Sequence, residues 1–176
     1  MSDQSSSNFA FEICLEMPAD DEAVEALTAA VFGPGMKARA AYALRENTRH
    51  IAALSFVAKK GEQILGSVRV TAIAVGDEEV LMLGPLGVLT EHKNLGIGRA
   101  LMKAVVSAAK EQANAGGANL MMLVGDHAYY APFGFEHVPM GNITMPRPVD
   151  PMRILVCPLD GNSDWQLAGK ARSLAQ

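Results

Sequence analysis

Apolar and polar positions change period several times along the chain, and each change marks an element. Residues 9–17, "FAFEICLEM", alternate apolar and mixed side chains and predict a strand that Pro18 ends. In "ADDEAVEALTAAVFG", Val24, Leu27 and Val31 recur at helical spacing. Asp20 and Asp21 are placed to cap that helix, and their charges suit its dipole. "GPG" at 33–35 breaks it, and "MKARAAYALREN" predicts a second helix containing Tyr42. Residues 51–59 and 64–75 read as strands joined by the turn "KGEQ". Gly76-Asp77 is a further turn dipeptide, and residues 80–89 form a third strand. These connections are short, so the three strands make an antiparallel meander.

From Gly96 to about residue 112 the period becomes helical again. Ile97, Ala100, Leu101, Ala104, Val105 and Ala108 form the apolar stripe, opposite Arg99, Lys103, Ser107 and Lys110. "NAGGAN" supplies a glycine stop. "NLMMLVGD" at 119–126 is a continuous apolar run, the pattern of a buried parallel strand. Strand, helix and strand in this order imply a right-handed crossover. "HAYYAPFGFEHVPM" predicts a short helix, a turn at "FGF" and another strand, and "RILVCPL" predicts one more. The end around Trp165 carries no clear pattern. The resulting expectation is a tail over residues 1–8, one domain over 9–160 and an extension over 161–176.

Composition narrows the class. Hydrophobic residues are 49% and charged residues 19% of the chain, enough apolar surface for a core. The net charge of −4 argues against a nucleic-acid partner. "MSDQSSSNFA" has neither the basic nor the apolar region of a signal peptide, and no apolar run approaches the ~20 residues of a membrane span. The expected location is the cytoplasm. Cys14 and Cys157 are expected to be reduced and buried. The four histidines, His50, His92, His127 and His137, lack metal-ligand spacing, so no metal site is expected.

The candidate chemistry lies in "LGPLGVLTEHKNLGIGRALM". A helix that starts at a glycine-rich loop exposes free backbone N–H groups, and the helix dipole favours an anion there. Glycine lets a phosphate approach the backbone because no Cβ intervenes. A Walker loop is absent, and the dinucleotide fingerprint fails because Leu101 stands where its third glycine belongs. The run Lys93-Asn94-Leu95-Gly96-Ile97-Gly98 resembles the signature of the GNAT superfamily of acetyl-CoA-dependent N-acetyltransferases, Gln/Arg-x-x-Gly-x-Gly/Ala. Lys93 departs from it at the first position. The element order from residue 9 to about 138 resembles the family's too, as does "YYAPFGF", a tyrosine before a turn and "GF".

That resemblance implies an α/β (α+β) GNAT fold: a mixed, mostly antiparallel sheet, flanked by helices, with a parallel fourth and fifth strand that splay apart. It implies acetyl-CoA as co-substrate and an amine acceptor. The phosphates would lie on the N–H groups of Asn94, Leu95, Gly96, Ile97, Gly98 and Arg99, with Lys93 and Arg99 adding positive charge. The pantetheine would run along Leu86, Gly87 and Val88 as an added strand. A backbone N–H near Val88 would face the thioester oxygen. Gly84, Pro85 and Gly87 suit an irregular strand edge. Tyr130 takes the general-acid position, while Tyr129 is expected to point elsewhere.

No base is assigned. Asp126 reads as a helix N-cap, His127 as an exposed histidine near the slot, and Glu78 and Glu79 as solvated turn residues. Met121 and Met122 read as core, and Met140, Met145 and Met152 as loop residues. The acceptor would be set by the segments 31–50 and 140–153. The negative net charge leans toward a cationic amine; small molecule, peptide and protein lysine all stay open, as does a homodimer. The alternative function on this fold is a non-catalytic acyl-CoA-binding or regulatory module.

Overall fold

The computed structural model describes residues 9–174 of the 176-residue chain. The tail expected over residues 1–8 lies outside the described residues. The chain runs β1 (Glu12–Leu15), α1 (Asp21–Phe32), α2 (Ala40–Arg45), β2 (Phe56–Lys60), β3 (Gln63–Val75), β4 (Glu78–Val88) and α3 (Ile97–Asn114). It continues through β5 (Leu120–Val124), α4 (His127–Tyr130), β6 (Glu136–His137), β7 (Ile143–Thr144), β8 (Ile154–Pro158) and β9 (Gly169–Ser173). The sheet order is β1-β2-β3-β4-β5-β8-β6, and β9 pairs with the end of β3 and with β7. The strands along that order pair antiparallel except β4 with β5. The fold is therefore the expected mixed, mostly antiparallel sheet flanked by helices.

Successive side chains of a strand point to opposite faces. Met121 joins one buried cluster with Leu65, Val68, Leu101, Met102 and Val105, beneath α3. Met122 joins the other, with Leu44, Ile73, Met82, Val156 and Leu167. β5 is thus apolar on both faces, which is why its sequence does not alternate. Each such side chain contributes about 1.5–3 kcal/mol relative to exposure.

Several elements differ from expectation. The first strand is only Glu12–Leu15, because the ladder to β2 begins at the pair Glu12↔Lys59. Asp20 sits at the N-cap of α1 but does not cap it. Its carboxylate instead accepts from the Met17 N–H at 2.9 Å and from Lys59 Nζ at 2.7 Å. The second helix splits at Arg39, whose backbone is extended, into a 3₁₀ turn at Pro34–Ala38 and α2. Residues 52–54 form a 3₁₀ turn, so β2 starts late. On α3 the buried face is Ile97, Leu101, Met102, Val105, Val106 and Ala109; Ala100, Ala104 and Ala108 flank it. Cys14 is exposed, while Cys157 is buried as expected. Glu78 and Glu79 open β4 rather than forming the turn, and both are exposed. The segment after Trp165 ends in β9, antiparallel to β3 across Ile73↔Ser173, Ala74↔Arg172 and Val75↔Ala171.

Arg69 ties three elements together. Its guanidinium donates to both carboxylate oxygens of Glu16, to Asp21 and to Glu25. Glu16 is 4% exposed, so its charge depends on this partner. Burial alone would lower the Arg69 pKa, but the Glu16 and Glu25 contacts reverse the sign and raise it. Replacing Arg69 by Met leaves the buried Glu16 carboxylate with only His50 Nε2, 3.8 Å away, and we expect a loss of about 3–5 kcal/mol in denaturant unfolding. A loss below about 1 kcal/mol would show that Glu16 is solvated by other means.

Candidate active site

The site begins where two strands separate. β4 and β5 are paired only at Leu81↔Met121 and Met82↔Met122. Beyond Met82, β4 keeps β3 on one side, with Val68↔Leu86, Ser67↔Gly87 and Gly66↔Val88, but loses β5 on the other. The register against β3 shifts between Val68 and Val70, so Gly84 and Pro85 both stand opposite Arg69. The irregularity expected from Gly84, Pro85 and Gly87 is this bulge, and it accompanies the parting of the strands. The backbone of Leu86, Gly87 and Val88 is left facing a cleft.

The loop after β4 reaches α3 through two left-handed residues, Asn94 at φ 65° and Gly96 at φ 82°. Asn tolerates this region and Gly enters it without strain. The turn aims the head of α3 at the cleft. No side chain caps the helix. Ala100 is the first amide of its opening turn to reach a carbonyl, that of Gly96 at 3.0 Å. The N–H groups ahead of it are the free donors that an anion satisfies. Gly66 allows this placement: a Cβ there would stand 3.0 Å from Gly87 O and 3.0 Å from Ile97 Cγ2.

A cavity of about 540 Å³ follows. Leu86, Gly87 and Val88 line one wall, Lys93, Asn94, Gly96, Ile97, Gly98 and Arg99 the second, and Gly125, Asp126, Tyr129 and Tyr130 the third. Of the expected site residues, only Leu95 is missing from the lining; its side chain is exposed. Asp126 caps α4 as expected, accepting from the Ala128 N–H at 3.1 Å. His127 does not line the cavity; its ring packs on His137, centroids 4.2 Å apart.

Both tyrosines enter the cavity, contrary to the expectation for Tyr129. A Cβ on Gly98 would come within 2.6 Å of the Tyr129 hydroxyl, so that hydroxyl hangs over the helix start. The Tyr130 ring lies against Gly125, where a Cβ would stand 2.4 Å from Cε2. It meets Tyr129 edge-on at 4.8 Å and Phe135 at 6.0 Å. Burial pushes the Tyr130 phenol up to about 12; Tyr129 and Asp126 add to this, and Arg153 opposes it. Tyr129 is raised too, by burial, with Arg99 opposing.

Sequence reasoning also missed His92, whose buried Nδ1 has no hydrogen-bond partner among the described residues, and Arg153, brought in from the start of β8. A second cavity, of about 410 Å³, shares Leu86, Val124, Tyr130 and Arg153 with the first. It is built from the two segments expected to set acceptor choice, through Phe32, Arg39 and Arg45 on one side and Pro148, Val149 and Arg153 on the other. Met140 and Met145 line a different cavity, between residues 138 and 154. Among the described residues no group of three His, Cys, Asp or Glu could hold a metal, and no helix is long and apolar enough to cross a membrane.

Known proteins carry the same architecture. The chain is similar to the GNAT family N-acetyltransferase YhbS from Escherichia coli, solved in complex with CoA: 24% identity, 93% of this chain and 89% of that one, TM-score 0.72. A GNAT family acetyltransferase from Brucella melitensis, in complex with acetyl-CoA, shares 23% identity over 94% of this chain and 97% of that one, TM-score 0.65. The ribosomal-protein-S18-alanine N-acetyltransferase from Escherichia coli shares 16% over 89% and 99%, TM-score 0.58. No curated protein sequence matches the chain. Residues 20–135, the stretch that contains the parted strands, the glycine loop and both tyrosines, match the Acetyltransferase (GNAT) family. The chain belongs to that family.

Proposed function

We propose that this protein moves the acetyl group of acetyl-CoA to an amine by direct attack in the cleft between β4 and β5. The observation that carries the reading is one continuous cavity wall. It joins an open strand edge, a helix start with free amides and a desolvated tyrosine. The open edge of Leu86–Val88 suits the pantetheine, whose amides can pair with it like an added strand. The head of α3, with Lys93 and Arg99, suits the diphosphate. The similar solved structures in complex with CoA and acetyl-CoA support this assignment.

In the reaction the amine nitrogen attacks the thioester carbonyl carbon. The N–C bond forms, the C–S bond breaks, and the amine loses a proton to solvent. A backbone N–H near Val88 meets the developing oxyanion, a term typically worth ~3 kcal/mol. Tyr130 donates its proton to the departing sulfur, and the phenolate takes back a proton from solvent, which balances the one the amine releases. The raised pKa of Tyr130 keeps it protonated at any working pH. The burial that raises the phenol acts in the same direction on a thiolate beside it, which keeps the gap between donor and acceptor from widening by the full shift of the phenol.

Calorimetry should show acetyl-CoA binding where ATP and NAD do not, and thiol release should require an amine. Binding without thiol release for any amine would favour the non-catalytic module instead. Tyr130→Phe is expected to lower kcat about 100-fold and to change acetyl-CoA affinity less than about 3-fold. Unchanged kcat would remove Tyr130 from the mechanism. The wild-type kcat should show no alkaline fall from Tyr130 below about pH 11. Gly125→Ala displaces the Tyr130 ring toward solvent. Its phenol should then titrate below the wild-type value, toward the ordinary ~10, in ultraviolet difference spectra.

A further inference from the structure

The second cavity is lined by three arginines, Arg39, Arg45 and Arg153, and by no Asp or Glu. Such a set of like charges repels itself, and at Arg45, the one of the three that is not exposed, desolvation adds to the cost. Among the described residues none of the three is in an ion pair. Arg39 lies over the Phe32 ring, 5.6 Å from its centroid. Glu25, whose charge reaches Arg45, is engaged by Arg69, and Asp126 lines the first cavity with Arg153 without pairing to it.

Arg45 is the most informative member. It comes from the last turn of α2 and reaches across to β4, where its Nη1 would stand 3.0 Å from a Cβ on Gly84. Gly84 is left-handed, at φ 130°, and belongs to the bulge that parts β4 from β5. Burial, helped by the nearby charges of Arg39 and Arg69, outweighs Tyr42 and Glu25 and pushes Arg45 down to about 10. A guanidinium held partly desolvated beside an open cavity, with no anion of its own, is arranged for an anion that arrives.

The cavity joins the acetyl-CoA cleft at Leu86, Val124, Tyr130 and Arg153. Gly84 precedes Leu86 by two residues, about 7 Å along a strand. An anion on Arg45 and Arg153 therefore sits within a few bonds of an amine poised at the thioester. The rest of the lining includes Met36, Met82, Pro148 and Val149, which suit an apolar substituent. The volume of about 410 Å³ is that of a small-molecule site.

We propose that the acceptor is a small anionic amine, an amino acid or a close relative, whose carboxylate is held by Arg45 and Arg153 while its amine faces the thioester. This rests on the acetyl-transfer reading above and specifies its substrate. It reverses the lean toward a cationic amine drawn from net charge, because the charge of the cavity differs in sign from that of the whole chain. The same guanidiniums lower the proton affinity of the incoming amine, which helps to free its lone pair. The planar fork of arginine suits a carboxylate or a phosphonate, and a matched pair separates these two.

The experiment measures kcat/KM by CoA release for the amino acids, their amides, their decarboxylated amines and aminophosphonates, with spermidine as the cationic control. We expect at least one acid to exceed its own amide by about tenfold or more. Arg45→Gln and Arg153→Gln should each shrink that acid-to-amide ratio, with Arg45→Lys intermediate. Arg153 is exposed, so its variant reports even if Arg45→Gln folds poorly. A phosphonate better than its carboxylate partner keeps the anion site and changes its ligand. The proposal fails if amides or spermidine match the acids, if the ratio survives both substitutions, or if no anionic amine turns over in protein that binds acetyl-CoA. Failure to bind acetyl-CoA at all would overturn the acetyl-transfer reading itself.

Discussion

The parting of β4 from β5 after two paired residues is the constraint on which the site depends. A strand edge that loses its neighbour inside a protein exposes backbone donors and acceptors that must be satisfied. Here the exposure is held in place. β3 holds β4 from one side, and the bulge at Gly84 and Pro85 turns its far end away from β5. Arg69, opposite the bulge, is anchored by Glu16 from the end of β1 and by Asp21 and Glu25 from α1. The ion network that joins β3 to α1 is therefore centred on the residue opposite the bulge.

The remaining parts of the site are arranged around that opening by close backbone approach. Gly66 lets the head of α3 settle on β3, Gly98 leaves room for the Tyr129 hydroxyl, and Gly125 lets the Tyr130 ring lie on the end of β5. Close approach at three glycines thus shapes the surroundings of one cavity. The electrostatics follow the same division. One cavity combines the backbone dipole at the head of α3 with Lys93 and Arg99, whereas the other is lined by Arg39, Arg45 and Arg153 and by no carboxylate.

What was legible in the sequence was what leaves a local trace. The glycine loop, the helix after it and the apolar run of β5 each follow from the conformational needs of a few consecutive residues. So does Asp126 as a cap. Tyr129 was misjudged because a single turn of helix does not hide alternate neighbours from a wide cavity. Arg45, Arg153 and His92 were not legible as a group, since only the fold brings residues so distant in sequence to two joined cavities. The stripe on α3 was displaced because alanine spacing mimicked a core face, while the larger Met102 and Val106 set the actual rotation. β9 was missed because its five residues, "GKARS", carry no apolar period; pairing to β3 and β7, not sequence pattern, makes them a strand.

The claim that the rest depends on is that the amides heading α3 grip the diphosphate of acetyl-CoA beside the open edge of β4. Amide hydrogen exchange with and without acetyl-CoA tests it most directly. The account predicts slowed exchange at residues 94–99 and 86–88 on addition of acetyl-CoA, with little change along β9 on the far side of the sheet. Unchanged exchange in both segments at saturating acetyl-CoA, or protection confined to the cavity between residues 138 and 154, would contradict it.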